Sequence, residues 1–129
     1  MLRVATQLRP SSIHGIGVFT AEPIPAGVEV WRFSPGYDLD LDPSVVQDLP
    51  KHLQDWFAHF GYVDFHLGRL VVCLDNARFI NHSPAPNLRS DYSADPYGPD
   101  FAARDIEAGE ELTADYAEFE RQPDAGRSL

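Results

Sequence analysis

Three short stretches hold the side chains with the most chemical capacity. Glu111-Leu112-Thr113-Ala114-Asp115-Tyr116 runs an acid-rich turn into a tyrosine. A phenol can donate and accept hydrogen bonds beside a reacting group without adding charge at neutral pH. Arg78-Phe79-Ile80-Asn81-His82-Ser83 leads an apolar pair into an amide, an imidazole and a hydroxyl. Taken alone, Asn81 and Ser83 read as local caps of a turn. His14-Gly15-Ile16-Gly17 sets two glycines where backbone must approach something closely, and by itself it reads as a tight turn. It is not a dinucleotide fingerprint, because the third glycine and a following βαβ unit are missing.

Other constellations fail on their spacing. Asp38, Asp40 and Asp42 resemble the start of a calcium loop, but Pro43 stands where glycine is required and Leu49 where the bidentate glutamate belongs. His52, His59 and His66 recur every seven residues, yet Gly61 interrupts the helix that would align them. No metal is expected. Cys73 is the single cysteine, so an internal disulfide and a multi-cysteine zinc cluster are excluded, and Val71, Val72 and Leu74 around it predict a buried, inert thiol.

A net charge of −10 over 129 residues disfavours a nucleic-acid backbone as ligand. It suits a basic peptide through electrostatic steering, although acidity that serves only solubility is an equal reading. No apolar run approaches the roughly 18 residues that span a membrane, and Met1 to Thr6 is too short and polar for a signal peptide. A cytoplasmic protein of one domain is expected, with a frayed tail over 122–129.

The elements that must position these groups are short. Eleven prolines and nine glycines punctuate the chain and favour strands and turns over long helices. Strands are predicted at Leu2–Val4, within Ile13–Phe19, over Val28–Phe33, Tyr62–Phe65, Arg69–Leu74 and Asp100–Arg104, with a loop over Asn81–Pro86. The best helical pattern lies within about 43–60. Leu53, Trp56, Phe57 and Phe60 make one apolar face there, Pro50 separates a first short turn, and Gly61 ends the helix. That face is core or the contact of a homodimer.

In this order and spacing, the three stretches resemble the motifs of the SET domain, a family of protein lysine methyltransferases. The family's Arg-Phe-Ile-Asn-His-Ser-Cys-x-Pro-Asn appears as Arg78 to Asn87, with Pro84 at the cysteine position. The Glu-Leu-x-x-Asp-Tyr motif is Glu111 to Tyr116. The resemblance implies a mostly β fold of several small sheets (β-clip-like), with a helical insert and a C-terminal segment threaded as a pseudoknot. It also implies S-adenosylmethionine as cofactor. His14, Gly15, Ile16 and Gly17 would line that cofactor, Asn81 would hold its methionine amino end, His82 would contact its adenine, and Phe119 would serve as an aromatic lid. Tyr116 would be the catalytic residue and would also border the cofactor. The family's second channel tyrosine is displaced or absent in Phe33-Ser34-Pro35-Gly36-Tyr37. Ser90 stands where another channel aromatic is common. Phe33, Tyr92 and Tyr97 are therefore the candidate channel residues. The implied function is methylation of lysine side chains in a basic protein or peptide. The alternative is a SET-like binding module without turnover.

Overall fold

The computed structural model describes residues 1–120; the tail predicted to fray over 122–129 lies outside them. Strand β1, Thr6–Pro10, pairs antiparallel with β2, Ile16–Thr20, in a register from Thr6 opposite Thr20 to Pro10 opposite Ile16. This differs from strands at Leu2–Val4 and from Ile13 onward. Residues 11–15 are taken by a turn in which Ser11 N–H donates to Gly15 O at 2.8 Å and Ser11 Oγ accepts from Ile13 N–H at 2.9 Å. Leu2 forms an isolated bridge to Trp31 in place of a strand.

Two three-stranded antiparallel sheets follow. One orders β3, Glu29–Trp31, beside β9, Asp100–Ala102, beside β8, Leu88–Ser90. The other orders β4, Leu39–Leu41, beside β6, Arg69–Val72, beside β5, Gly61–Asp64. The last two are joined through Gly68, at φ 66°. Strand β4 replaces the acidic pseudo-loop. Asp40 lies on it and accepts from Arg69 Nε at 2.6 Å, so the aspartates are spaced by strand alternation and not by ligation.

Between β4 and β5 come a 3₁₀ turn, Pro43–Val46, and helix α1, Lys51–Phe60. Pro50 caps α1 with its carbonyl, which accepts from Leu53 N–H at 2.9 Å and Gln54 N–H at 3.1 Å. No α1 residue is fully buried; Trp56 lies against Phe57 and Phe60, and Phe60 against Phe79. The apolar face thus covers a flank of the molecule and is not its core. Gly61 ends the helix in an extended conformation, not the left-handed one of a glycine stop. It is needed for space: a Cβ there would sit 2.9 Å from Phe57 O and 3.0 Å from Leu70 Cδ1.

The predicted loop at Asn81–Pro86 begins instead as strand β7, Asn81–His82. It pairs in parallel with β10, Thr113–Ala114. Parallel neighbours require a long crossover, and the chain supplies it through β8 and β9. Asn87 then laces the connection to the C-terminal segment. Its Nδ2 donates to Glu111 O at 2.8 Å, and its Oδ1 accepts from Thr113 N–H at 2.8 Å. This threading is the pseudoknot, and the mostly β SET-domain architecture is as expected. The core gathers Val18, Val30, Trp31, Val71, Leu88 and Ala114 from all four sheets, with Ile24, Ile106 and Leu112 from the segments between strands. Cys73 is buried with them, and desolvation pushes its thiol pKa up, in keeping with an inert cysteine. Among the described residues no helix is long and apolar enough to cross a membrane.

Candidate active site

The three motifs meet at one side chain. Asn81 Nδ2 donates to His14 O at 3.0 Å, to Ile16 O at 3.4 Å and to Glu111 Oε2 at 2.8 Å. Glu111 also accepts from Ser11 Oγ, at 2.7 Å on Oε1 and 2.9 Å on Oε2. The glycine turn, the Asn-His strand and the acidic turn are therefore bound to one another through a carboxylate and an amide. Gly17 closes against this knot, since a Cβ on it would lie 2.3 Å from Glu111 Oε2. Gly15 has a different need. Its φ is 44°, a left-handed conformation, and open space lies where a Cβ would go.

Beside the knot, β7 and β10 set His82 opposite Ala114. His82 Nδ1 accepts from Tyr116 N–H at 3.1 Å, which leaves Nε2 as the ring's donor position. Tyr116 opens a 3₁₀ turn, Tyr116–Glu118, whose N-cap Asp115 accepts from Ala117 N–H through its side chain. The Tyr116 hydroxyl donates to the Ile80 carbonyl. Its ring lies 5.2 Å from that of His82 and 5.6 Å from that of Phe119. Phe119 in turn packs 4.7 Å from Tyr62 and, through its carbonyl, accepts from Phe65 N–H at 3.0 Å.

Tyr116 opens onto a pocket of about 530 Å³, its open mouth included. Trp31, Tyr62, Tyr92, Phe119 and Asp100 share its walls with Tyr116. Of the candidate channel residues, Tyr92 is present. Its hydroxyl donates to the buried carboxylate Asp64 at 2.5 Å, and its ring stacks on His66 at 3.6 Å. Phe33 and Tyr97 lie elsewhere. They stack on each other at 3.9 Å, and the Tyr97 hydroxyl donates to Asp40. Neither lines the pocket, because Asp40 holds Tyr97 toward β4. Tyr62 was not foreseen. It follows Gly61 directly, and the strand that begins there turns it toward Phe119; alternation from the helix end was the available signal.

Asp64 also accepts backbone N–H groups from His66 at 2.7 Å and Leu67 at 3.1 Å. Tyr92→Phe would leave this buried carboxylate one donor short. The expected cost is about 1–3 kcal/mol, read as a lower urea midpoint.

Asp100 is the electrostatic anomaly of the pocket. Burial pushes its carboxyl from 3.8 up to about 7, with Glu118 adding to the rise and the Ser90 hydrogen bond opposing it. A carboxyl raised on folding stabilises the fold while protonated. That contribution is complete below the unfolded value and is lost as pH climbs through the folded one. Stability attributable to Asp100 is therefore expected to fall between about pH 4 and pH 7. Asp100→Asn should flatten that limb in urea titrations at stepped pH.

Among the described residues no cluster of His, Cys, Asp or Glu could hold a metal. A nucleoside carrying an amino acid suits the groups present. Ile13 and Ile16 are exposed large apolar residues, at 49% and 44%, on the glycine turn. Nearby are the open left-handed backbone at Gly15, the His82 ring and the Phe119 and Tyr116 aromatics. Together they offer apolar cover, backbone polar groups and ring faces.

The sequence pattern of the SET domain family matches residues 15–117. The chain belongs to that family. A humanized mutant of Polycomb Repressive Complex 2 from Chaetomium thermophilum, bound to an inhibitor, is similar at 25% identity and TM-score 0.64. The match covers 93% of this chain and 16% of that one. The same fold appears in that complex bound to S-adenosylmethionine, at 24% identity and TM-score 0.66, again over 93% of this chain and 16% of that one. A Plasmodium falciparum protein solved as a candidate histone methyltransferase shares the fold at 18% identity and TM-score 0.57, over 89% of this chain and 95% of that one. The chain thus spans about a sixth of the Polycomb chains it matches. Comparison by sequence with curated proteins gives no match.

Proposed function

We propose that this chain methylates the side-chain amine of lysine in a protein substrate, with S-adenosylmethionine as donor. The observation that supports the reading is the linkage of the three motifs: Asn81 ties the glycine turn to Glu111, His82 accepts from the Tyr116 N–H, and Tyr116 borders an aromatic pocket. S-adenosylmethionine, when bound, supplies a methyl group on a positively charged sulfur. The exposed 13–16 turn, Asn81, His82 and Phe119 are the residues that would hold it. Asn81 spends its Nδ2 inside the protein, so its Oδ1, which accepts nothing among the described residues, is the end it would offer.

The pocket would receive the lysine. A free lysine amine has a pKa near 10.4, so presenting it neutral at pH 7 costs about 4–5 kcal/mol. Walls of Trp31, Tyr62, Tyr92 and Phe119 exclude water and lower that pKa by desolvation. The Tyr116 hydroxyl donates a hydrogen bond to the Ile80 carbonyl, which orients its oxygen to accept an amine N–H and aim the lone pair. The acidic surface suits a basic substrate. One structural neighbour was solved with histone H3 trimethylated at lysine 27. That neighbour motivates lysine-rich proteins as the first substrates to try.

The test is incubation with radiolabelled donor and a lysine-rich protein mixture. Label on lysine is expected. Cofactor binding without any label would replace the enzyme with a binding module.

A further inference from the structure

The pocket wall combines aromatic rings with small and aliphatic side chains, and carries one basic and one acidic residue. One is Arg78, whose guanidinium lies 5.4 Å from the Phe60 ring centre and 5.2 Å from that of Phe79. Its charge rests on those ring faces. The other is Asp100, on β9, directly opposite Trp31 on β3. Asp100 Oδ1 accepts from Ser90 Oγ at 2.8 Å. Oδ2 accepts no hydrogen bond among the described residues. Trp31 Nε1 is buried on the same wall with no acceptor among them. The pocket therefore holds an underused carboxylate oxygen and an unanswered donor, framed by the rings of Tyr62, Tyr92 and Tyr116. Ser90 and Ala114 contribute small side chains to the same wall.

We propose that Asp100 receives the ammonium of the substrate lysine, so that the pocket favours amines that still carry an N–H over fully methylated ones. An ammonium bound among aromatic faces gains from each ring. A carboxylate adds a charge-assisted hydrogen bond, which is directional and needs an N–H to donate; Asp100 Oδ2 can then take that proton, leaving the neutral amine that methyl transfer requires and a protonated carboxyl. Trimethylated lysine keeps its charge and has no N–H left, so it loses that bond. A site of this kind binds lysine, monomethyllysine and dimethyllysine and releases the trimethyl form. The inference deepens the methyl-transfer reading and depends on it only for the identity of the ligand.

The probes are n-butylammonium and n-butyltrimethylammonium chlorides, titrated into the full chain and followed by backbone amide NMR shifts. Wild type should bind n-butylammonium about tenfold more tightly than Asp100→Asn does. The asparagine keeps the volume and can still accept from Ser90. Preference for n-butylammonium over the trimethyl probe should vanish in the variant. Equal affinity of wild type and variant, or no binding of n-butylammonium to wild type, overturns the proposal. If the variant does not fold, the carboxyl-carbon shift of Asp100 in wild type serves instead. Its titration should move to lower pH when n-butylammonium is present, and an unmoved titration overturns the proposal. The two readings separate cleanly. Probe discrimination without methyl transfer leaves Asp100 as an ammonium receptor and removes the enzyme. Methyl transfer without an Asp100 effect on probe binding does the reverse.

Discussion

Tyr116→Phe is expected to lower the methyl-transfer rate by roughly 10²–10³-fold, a loss typical of removing one polar group that acts on the reacting centre. The ring would remain, with its packing beside His82 and Phe119. The Tyr116 backbone N–H would remain on His82 Nδ1. What disappears is the hydroxyl, and with it the oxygen that accepts the amine and the donor to Ile80 O. Affinity for S-adenosylmethionine should change little, because the ring that would border it remains and the other groups assigned to hold it are unaltered. Stability should drop by about 1 kcal/mol for the carbonyl that loses its donor. Single-turnover rates with isothermal titration of the cofactor make the comparison. A variant that turns over at the wild-type rate would take Tyr116 out of the chemistry.

Gly17→Ala is expected to be strongly destabilising despite its small size. A methyl there would stand 2.3 Å from Glu111 Oε2 and 2.8 Å from Glu111 Cδ. Glu111 cannot yield cheaply, since its carboxylate accepts from Ser11 Oγ and from Asn81 Nδ2 together. Moving it unties the glycine turn from both other motifs. The expected cost is about 2–4 kcal/mol, combining overpacking with lost charge-assisted bonds, and cofactor affinity should fall with it. Gly15→Ala supplies the contrast. It meets open space and pays only for its left-handed φ of 44°, about 1–2 kcal/mol. Urea denaturation of both variants ranks them, and equal stability would mean that the Glu111 knot has slack.

The motif residues were legible one by one because their types carry the chemistry. Asn81, His82 and Tyr116 stand in stretches whose order alone implied a SET domain. The helix within 43–60 was legible because its apolar spacing is a local property of the backbone. The parallel pair of Asn81-His82 with Thr113-Ala114 was not, since a two-residue strand has no periodicity to show. Strand β4 was not legible either, since three residues are too few to show a period, and Arg69 and Tyr97, which hold its Asp40, come from distant parts of the chain.

Among the channel candidates, sequence position could not separate Tyr92, Tyr97 and Phe33. Their chain neighbours are alike in kind, and only packing sends Tyr92 to Asp64 and Tyr97 to Asp40. Tyr62 and Asp100 reached the pocket wall unannounced for the same reason. The amino-acid order determined which functional groups are present and which short segments bend or extend, because those follow from local sterics and side-chain chemistry. The tertiary structure decided which of those groups share one cavity, because that depends on hydrogen bonds and contacts between residues 30 to 100 positions apart.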